Sequence, residues 1–205
     1  MKKFASITLA VLLAVSMLLT CLIPAYAVDI DFTNGKGTII MTKEATNDLD
    51  GNTQKPVSGA TFTAYQVLTL NNDGDGDGTY TVAAPFDAVI DQNSLTGSAK
   101  ENSAGGLYTN TDEMENLIYQ LEPYTKKATG YDFTETSTAG TYQVDNLPLG
   151  VYLVVETTPP ANYTVSTGSF LVTVPQWDGE AWDYVVGDDG QAVKLLGPKG
   201  RRELS

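Results

Sequence analysis

An all-β sandwich interrupted by one inserted helix is the fold the sequence predicts, and three observations predict it. Short runs rich in β-branched and aromatic residues recur along the chain, separated by clusters of Gly, Pro, Asn and Asp. One segment between them instead spaces its apolar residues for a helix. The length, 205 residues, is enough for a single large domain with a real core.

The first 27 residues are read as a leader outside the fold. Lys2 and Lys3 open it, Phe4 to Pro24 is almost wholly apolar, and Ala25-Tyr26-Ala27 is the small-x-small pattern cleaved by signal peptidase. The exported chain is therefore expected to begin at Val28. A retained membrane anchor is the competing reading of so long an apolar run, but the polar Asp29, Asp31 and Asn34 follow at once. Leu18-Leu19-Thr20-Cys21 has threonine where lipid attachment wants a small residue. No second apolar span follows, so the exported chain is expected to be soluble or attached by other means.

The first strand is expected over Gly37 to Lys43 (GTIIMTK) and the second over Ala60 to Leu70. In the second, Phe62, Ala64 and Gln66 alternate with Tyr65 and Val67. Asn47 to Ser58 reads as polar turn, and Asn71 to Gly78 (NNDGDGDG) as a tight connection into Thr79–Val82. Asp87 to Gly106 has no sustained strand pattern and reads as loop with one helical turn. The helix is placed at about 111–123: Asn110 or Thr111 offers the N-cap, Asp112 and Glu113 fill the first turn, and Met114, Leu117, Ile118 and Leu121 form the apolar stripe.

Strands resume after Gly140, at Thr141–Val144, Gly150–Thr157, Ser169–Val174 and Ala181–Val186. Turn chemistry separates them at Leu147-Pro148-Leu149-Gly150 and at Thr158-Pro159-Pro160-Ala161-Asn162. The predicted core comprises Ile39, Phe62, Tyr65, Val67, Leu117, Leu121, Leu147, Tyr152, Val154, Phe170, Val172 and Trp182. Three segments follow: leader 1–27, a domain over 28–186, and a disordered atypical tail over 187–205.

Composition narrows the chemistry. Without Lys2 and Lys3 the exported chain has 10 basic against 25 acidic residues, a net charge of −15. A nucleic-acid partner is thereby excluded, since phosphate binding needs a basic surface. Histidine is absent, which removes the usual general base and commonest metal ligand, and excludes Ser-His-Asp and Cys-His hydrolases. Cys21 is the only cysteine and lies in the leader, so no disulfide supports the exported domain.

Asp145 to Tyr163, reading DNLPLGVYLVVETTPPANY, resembles the N-L-P-x-G-x-Y-x-x-x-E-x-x-x-P-x-x-Y signature of CnaB-like, SpaA-type domains in Gram-positive surface adhesins and pilins. The order of elements is similar as well. A GTIIMTK first strand, a P-V-S-G-A-T-F-T-A-Y second strand, a helical insertion, a V-x-V-P strand at Val172–Pro175 and a Trp-containing last strand run over roughly Thr38 to Val186, as in the N-terminal domain of sortase-assembled major pilins. The resemblance implies an immunoglobulin- or CnaB-like sandwich and a structural, non-enzymatic role. It implies a secreted subunit of a cell-wall pilus or fimbrium contributing to adhesion, with other pilin subunits and a sortase as partners and no cofactor.

The resemblance also implies an intramolecular isopeptide bond, in which a first-strand lysine attacks a last-strand asparagine beside a buried glutamate that stays protonated. By position Lys43 is the nucleophile and Glu156 the acid; the bland alternative is an exposed lysine and a solvated glutamate. After Trp182-Asp183-Tyr184-Val185-Val186 the expected V-x-V-Y-P-K-N is absent, and Pro198-Lys199 comes late and precedes Gly200. No L-P-x-T-G signal follows. The chain is therefore expected to be a truncated or frame-shifted pilin, or a fragment of one, in which no Lys43 isopeptide forms.

Other constellations have two readings each. Asp73, Asp75 and Asp77 with Gly78 have calcium-loop spacing, yet the position of the bidentate acid falls on Ala84, and a Gly-Asp hairpin loop explains the same residues. Trp177 and Trp182 with Asp178, Glu180 and Asp183 suggest either a carbohydrate cleft or strand packing. Tyr108, Tyr119, Tyr124 and Tyr131 suggest helix-to-sandwich packing rather than ligand stacking. A single-domain module binding carbohydrate or host matrix is the alternative function, and an enzyme the third.

Overall fold

The computed structural model describes residues 30–46, 54–101, 105–108, 110–161 and 168–187. The leader, the cleavage site, Asn47 to Thr53, Asn162–Tyr163 and the tail beyond Gly187, with Pro198-Lys199, lie outside the described residues. Thirteen strands and one α-helix are described: β1 (Lys36–Thr42), β2 (Glu44–Thr46), β3 (Gln54–Pro56), β4 (Thr61–Asn71), β5 (Thr79–Val82), α1 (Thr111–Leu121), β6 (Gly130–Asp132), β7 (Thr134–Glu135), β8 (Thr141–Pro148), β9 (Gly150–Thr158), β10 (Phe170–Val174), β11 (Gln176–Trp177), β12 (Trp182–Asp183) and β13 (Val185–Val186). The expected β sandwich with one inserted helix is the fold observed.

Two sheets form the sandwich. One runs β13-β1-β8-β7 and the other β10-β9-β4-β5, with β6 added to β4. Adjacent strands are antiparallel except β1 and β13, which run parallel with Thr38 opposite Val185 and Ile39 opposite Val186. Between the sheets lie Ile39 and Met41 from β1, Phe62 and Ala64 from β4, Tyr152 and Val154 from β9, and Val172 and Val174 from β10.

The outer face of the second sheet is also buried. Val151 and Leu153, alternating with the inward residues of β9, pack against Ile118 and Leu121 of α1, Phe86, Ile90 and Trp182. Burial on both faces makes Gly150 to Val154 a continuous apolar run rather than an alternating one. The helix thus adds a third layer. Its N-cap is Asn110, whose side chain accepts a hydrogen bond from the Glu113 N–H at 2.9 Å, with Asp112 and Glu113 in the first turn. It gives way at Glu122 to a 3-10 turn, Glu122–Lys127, with Pro123 near its start.

Several expectations need correction. The alternation read in β4 holds only to a bulge between Gln66 and Leu68. Val67, the extra residue, keeps the side expected for it with Tyr65, and past it Leu68 and Leu70 join the same helical-side core because the bulge reverses the parity of the strand. Ala181–Val186 is not one strand. Trp182 pairs with Trp177 in the β11–β12 hairpin, while Val185 and Val186 cross to β1. Asn47 to Ser58, read as turn throughout, includes β3, which pairs with β2. Asp87 to Gly106 has two short 3-10 turns where one was expected, Phe86–Ala88 and Gln92–Ser94. Tyr65, Leu117 and Phe170 are half-buried, and Ile118 and Leu121 are the buried members of the helix stripe.

Candidate functional site

Strand parity places two charged side chains inside the sandwich. Ile39 and Met41 point inward from β1, and the next residue of that parity is Lys43, one position past the strand. Tyr152 and Val154 point inward from β9, and the next is Glu156. The β4–β9 register sets Phe62 opposite Glu156. The two sheets therefore bring Lys43 and Glu156 together at one end of the inter-sheet core.

Lys43 Nζ lies 3.0 Å from Glu156 Oε1 and 3.0 Å from Oε2. The side chains are 8% and 0% exposed respectively. The Phe62 ring centroid is 5.8 Å from Nζ, and Tyr142 meets Phe62 edge-on at 5.0 Å. An ion pair in so apolar a setting is tolerable only because each charge has its partner; either alone would be costly. The solvated-lysine and solvated-glutamate readings are thereby overturned as descriptions of where these residues sit.

The turn from Pro56 to Ala60 closes this end of the core. The Lys43 N–H donates to Gly140 O at 2.8 Å, and the Val57 N–H donates to Lys43 O at 2.9 Å. The Tyr142 hydroxyl donates to Val57 O at 3.0 Å and accepts from the Ala60 N–H at 3.1 Å. The Glu135 carboxylate accepts from the Gly59 N–H at 3.2 Å and the Gly140 N–H at 2.9 Å. A hydrogen bond from the Ser58 side chain, then that from Gly140, hold the Glu135 carboxyl below its ordinary range. Burial raises the Tyr142 hydroxyl above its usual value. Gly140 has φ +73°, and a Cβ there would lie 2.7 Å from Val57 N and 3.0 Å from Lys43 O, so no other residue fits without displacement.

Sequence reasoning missed Tyr142 and Glu135. Tyr142 had a usable signal, since it shares inward parity with Val144 in β8, on an aromatic with a polar tip that must be satisfied. Glu135 has none, because its role depends on two turns distant from each other in sequence.

The remaining candidates fall elsewhere. Asp73 Oδ1 accepts from the Asp75 and Gly76 N–H groups, both at 3.1 Å, and Asp77 pairs with Lys100 at 3.3 Å. Among the described residues no three acidic side chains converge as metal ligands would. Trp177 packs on Trp182 with ring centroids 5.2 Å apart, and Lys100 Nζ sits 4.4 Å from the Trp177 ring, so packing engages the proposed sugar platform. Asp178 accepts from the Glu180 and Ala181 N–H groups at 2.7 Å, which hold its carboxyl low. Tyr119 is 77% exposed and does not pack on the sandwich, whereas Tyr131 meets Tyr152 edge-on at 6.0 Å. No described helix is long and apolar enough to cross a membrane.

The family model described as SpaA, prealbumin-like fold domain, matches residues 42–187. The full-length major pilin SpaD from Corynebacterium diphtheriae is similar at 24% identity and a TM-score of 0.38, over 76% of this chain and 31% of that one. The group B streptococcus pilus 2b backbone protein is similar at 18% identity and a TM-score of 0.33, over 73% of this chain and 38% of that one. The chain thus spans about a third of the length of these two structures. No curated protein sequence matches it.

Proposed function

Since the chain belongs to the family of SpaA prealbumin-like fold domains, we propose that it is a structural, non-enzymatic domain of a cell-surface pilus subunit. In this reading the leader 1–27 exports it, the domain over 28–186 is the folded unit, and, where a full-length form is made, other pilin subunits joined by a sortase are its partners at the cell wall. The observation that carries the reading is the enclosed Lys43–Glu156 pair, with both carboxylate oxygens 3.0 Å from Nζ. A buried amine beside a buried carboxylate is the arrangement the resemblance implies for an isopeptide-type pilin domain, and an apolar core does not otherwise call for it.

Isopeptide chemistry would need an acceptor on the last strand. Lys43 Nζ would shed a proton to Glu156, attack an acceptor carbonyl, and release ammonia from asparagine or water from aspartate. Residues 182–187 contain no asparagine, and their aspartate, Asp183, accepts from the Val185 N–H and lies toward the Thr38 end of β1, away from Lys43. We therefore take the pair to act as a non-covalent clamp joining the end of β1 to β9.

Two measurements test this. An immunoblot of enzymatically released cell wall should show the full-length form of the chain in detergent-resistant polymers; monomer in the culture medium alone would refute the pilus role and favour a free-standing module. The intact mass of the exported chain should equal that of its sequence. A deficit of one ammonia or one water, abolished by Lys43→Ala or Glu156→Ala, would refute the non-covalent clamp.

A further inference from the structure

We propose that Tyr142 is a positioning residue for the Lys43–Glu156 site, pinning the turn from Val57 to Ala60 as a cover over it. The inference rests on the buried-pair reading above and deepens it. Three observations support it. The Tyr142 hydroxyl spans the turn, giving its proton to Val57 O and taking one from the Ala60 N–H, at 3.0 and 3.1 Å. Its ring lies against Phe62, the residue paired with Glu156 and stacked beneath Lys43 Nζ. Val57 is itself bonded to the Lys43 backbone and is 6% exposed, so lifting the turn would uncover the base of the lysine.

The turn has few other fastenings. Glu135 holds Gly59 from the outside, and β3, which leads into the turn, pairs only with the three-residue β2 among the described strands. Such a segment opens locally at a lower free energy than the sheets it covers. While closed it keeps water from the pair and so keeps the electrostatic attraction strong. Removing one hydroxyl should let the turn lift without disturbing the core, because phenylalanine retains the ring contact with Phe62.

The test is acylation of lysines in the purified exported chain by an activated acetate ester, followed residue by residue with mass spectrometry. In the parent chain Lys43 should react far more slowly than the exposed Lys36 and Lys100. Tyr142→Phe should speed the reaction of Lys43 about thirtyfold, the factor expected in an opening equilibrium from losing the two buried hydrogen bonds of its hydroxyl, with Lys36 and Lys100 unchanged. Gly59→Ala provides an independent route. That residue has φ +87° and an added Cβ would meet nothing within 4 Å, so the substitution strains the turn without touching the core. It should also raise Lys43 reactivity.

The gain must persist unchanged in low urea, as local opening does; a rate that climbs with urea would mean global unfolding and overturn the cover. Continued protection of Lys43 in both folded variants would overturn it too. If Tyr142→Phe fails to fold, Gly59→Ala alone decides. Failure of the underlying reading looks different: Lys43 reacting as fast as Lys36 in the parent chain, or an intact mass showing that its amine is already bonded.

Discussion

Removing either member of the Lys43–Glu156 pair should destabilise the domain severely, while replacing both should not. At 3.0 Å and an effective dielectric of about 20, the Coulomb attraction is about 5.5 kcal/mol. Desolvating the two ions offsets several kcal/mol of this, which leaves the intact pair near neutral against an apolar replacement. The asymmetry appears in single substitutions. Glu156→Leu strands an ammonium that is 8% exposed, and Lys43→Met strands a carboxylate that is 0% exposed. Each should cost about 3–5 kcal/mol. Lys43→Met with Glu156→Leu should recover most of that loss, giving an interaction term of several kcal/mol in the cycle. Urea unfolding of the four chains, followed by tryptophan fluorescence at pH 7, measures it. Single substitutions costing under about 1 kcal/mol would refute the burial of the pair, because only solvated charges are that dispensable. Losses that add in the double variant would refute the contact itself.

Other expectations follow from individual contacts. Asn110→Ala should cost about 1 kcal/mol by urea unfolding, through loss of the cap to the Glu113 N–H. Leu121→Ala should cost about 2–5 kcal/mol, since Leu121 is 0% exposed between the helix and the second sheet. Glu135 tests the acid limb. Its carboxyl lies below the ordinary 4.5, so the unfolded chain binds more protons near that pH, and the stabilisation is complete above 4.5 and lost as pH falls through the folded value. Between pH 7 and pH 3 the urea midpoint of the parent should therefore fall further than that of Glu135→Gln; equal falls would remove Glu135 from the turn.

The fold was legible where one face of a strand is buried and the pattern is local. Phe62 and Ala64 show two-residue spacing, and Asn110 with its acidic first turn marks the helix start. The elements that escaped are those set by partners distant in sequence. β6 and β7 are three and two residues long, too short for any period, and exist because β4 and β8 offer them edges. The break at Trp182–Val186 was hidden for a related reason. Ala-Trp-Asp-Tyr-Val-Val has the composition of one strand, but Trp182 belongs to the helical-side core and Val186 to the inter-sheet core, so the chain must change layers between them.

The site divides along the same line. Once the sequence has placed β1 and β9, parity alone continues Ile39 and Met41 to Lys43, and Tyr152 and Val154 to Glu156, so the ion pair is implied by two local patterns and one resemblance. What keeps the pair dry is not local at all. Tyr142 reaches back 85 residues to Val57, and Glu135 reaches 76 to Gly59. Neither link leaves a mark at the turn, whose Pro-Val-Ser-Gly-Ala reads as an ordinary connection. A substitution there that conserves turn chemistry, such as Ser58→Asn, should leave the fold intact and yet raise the acylation rate of Lys43, because it removes the Ser58 hydroxyl bonded to Glu135 and with it one of the contacts that hold the turn.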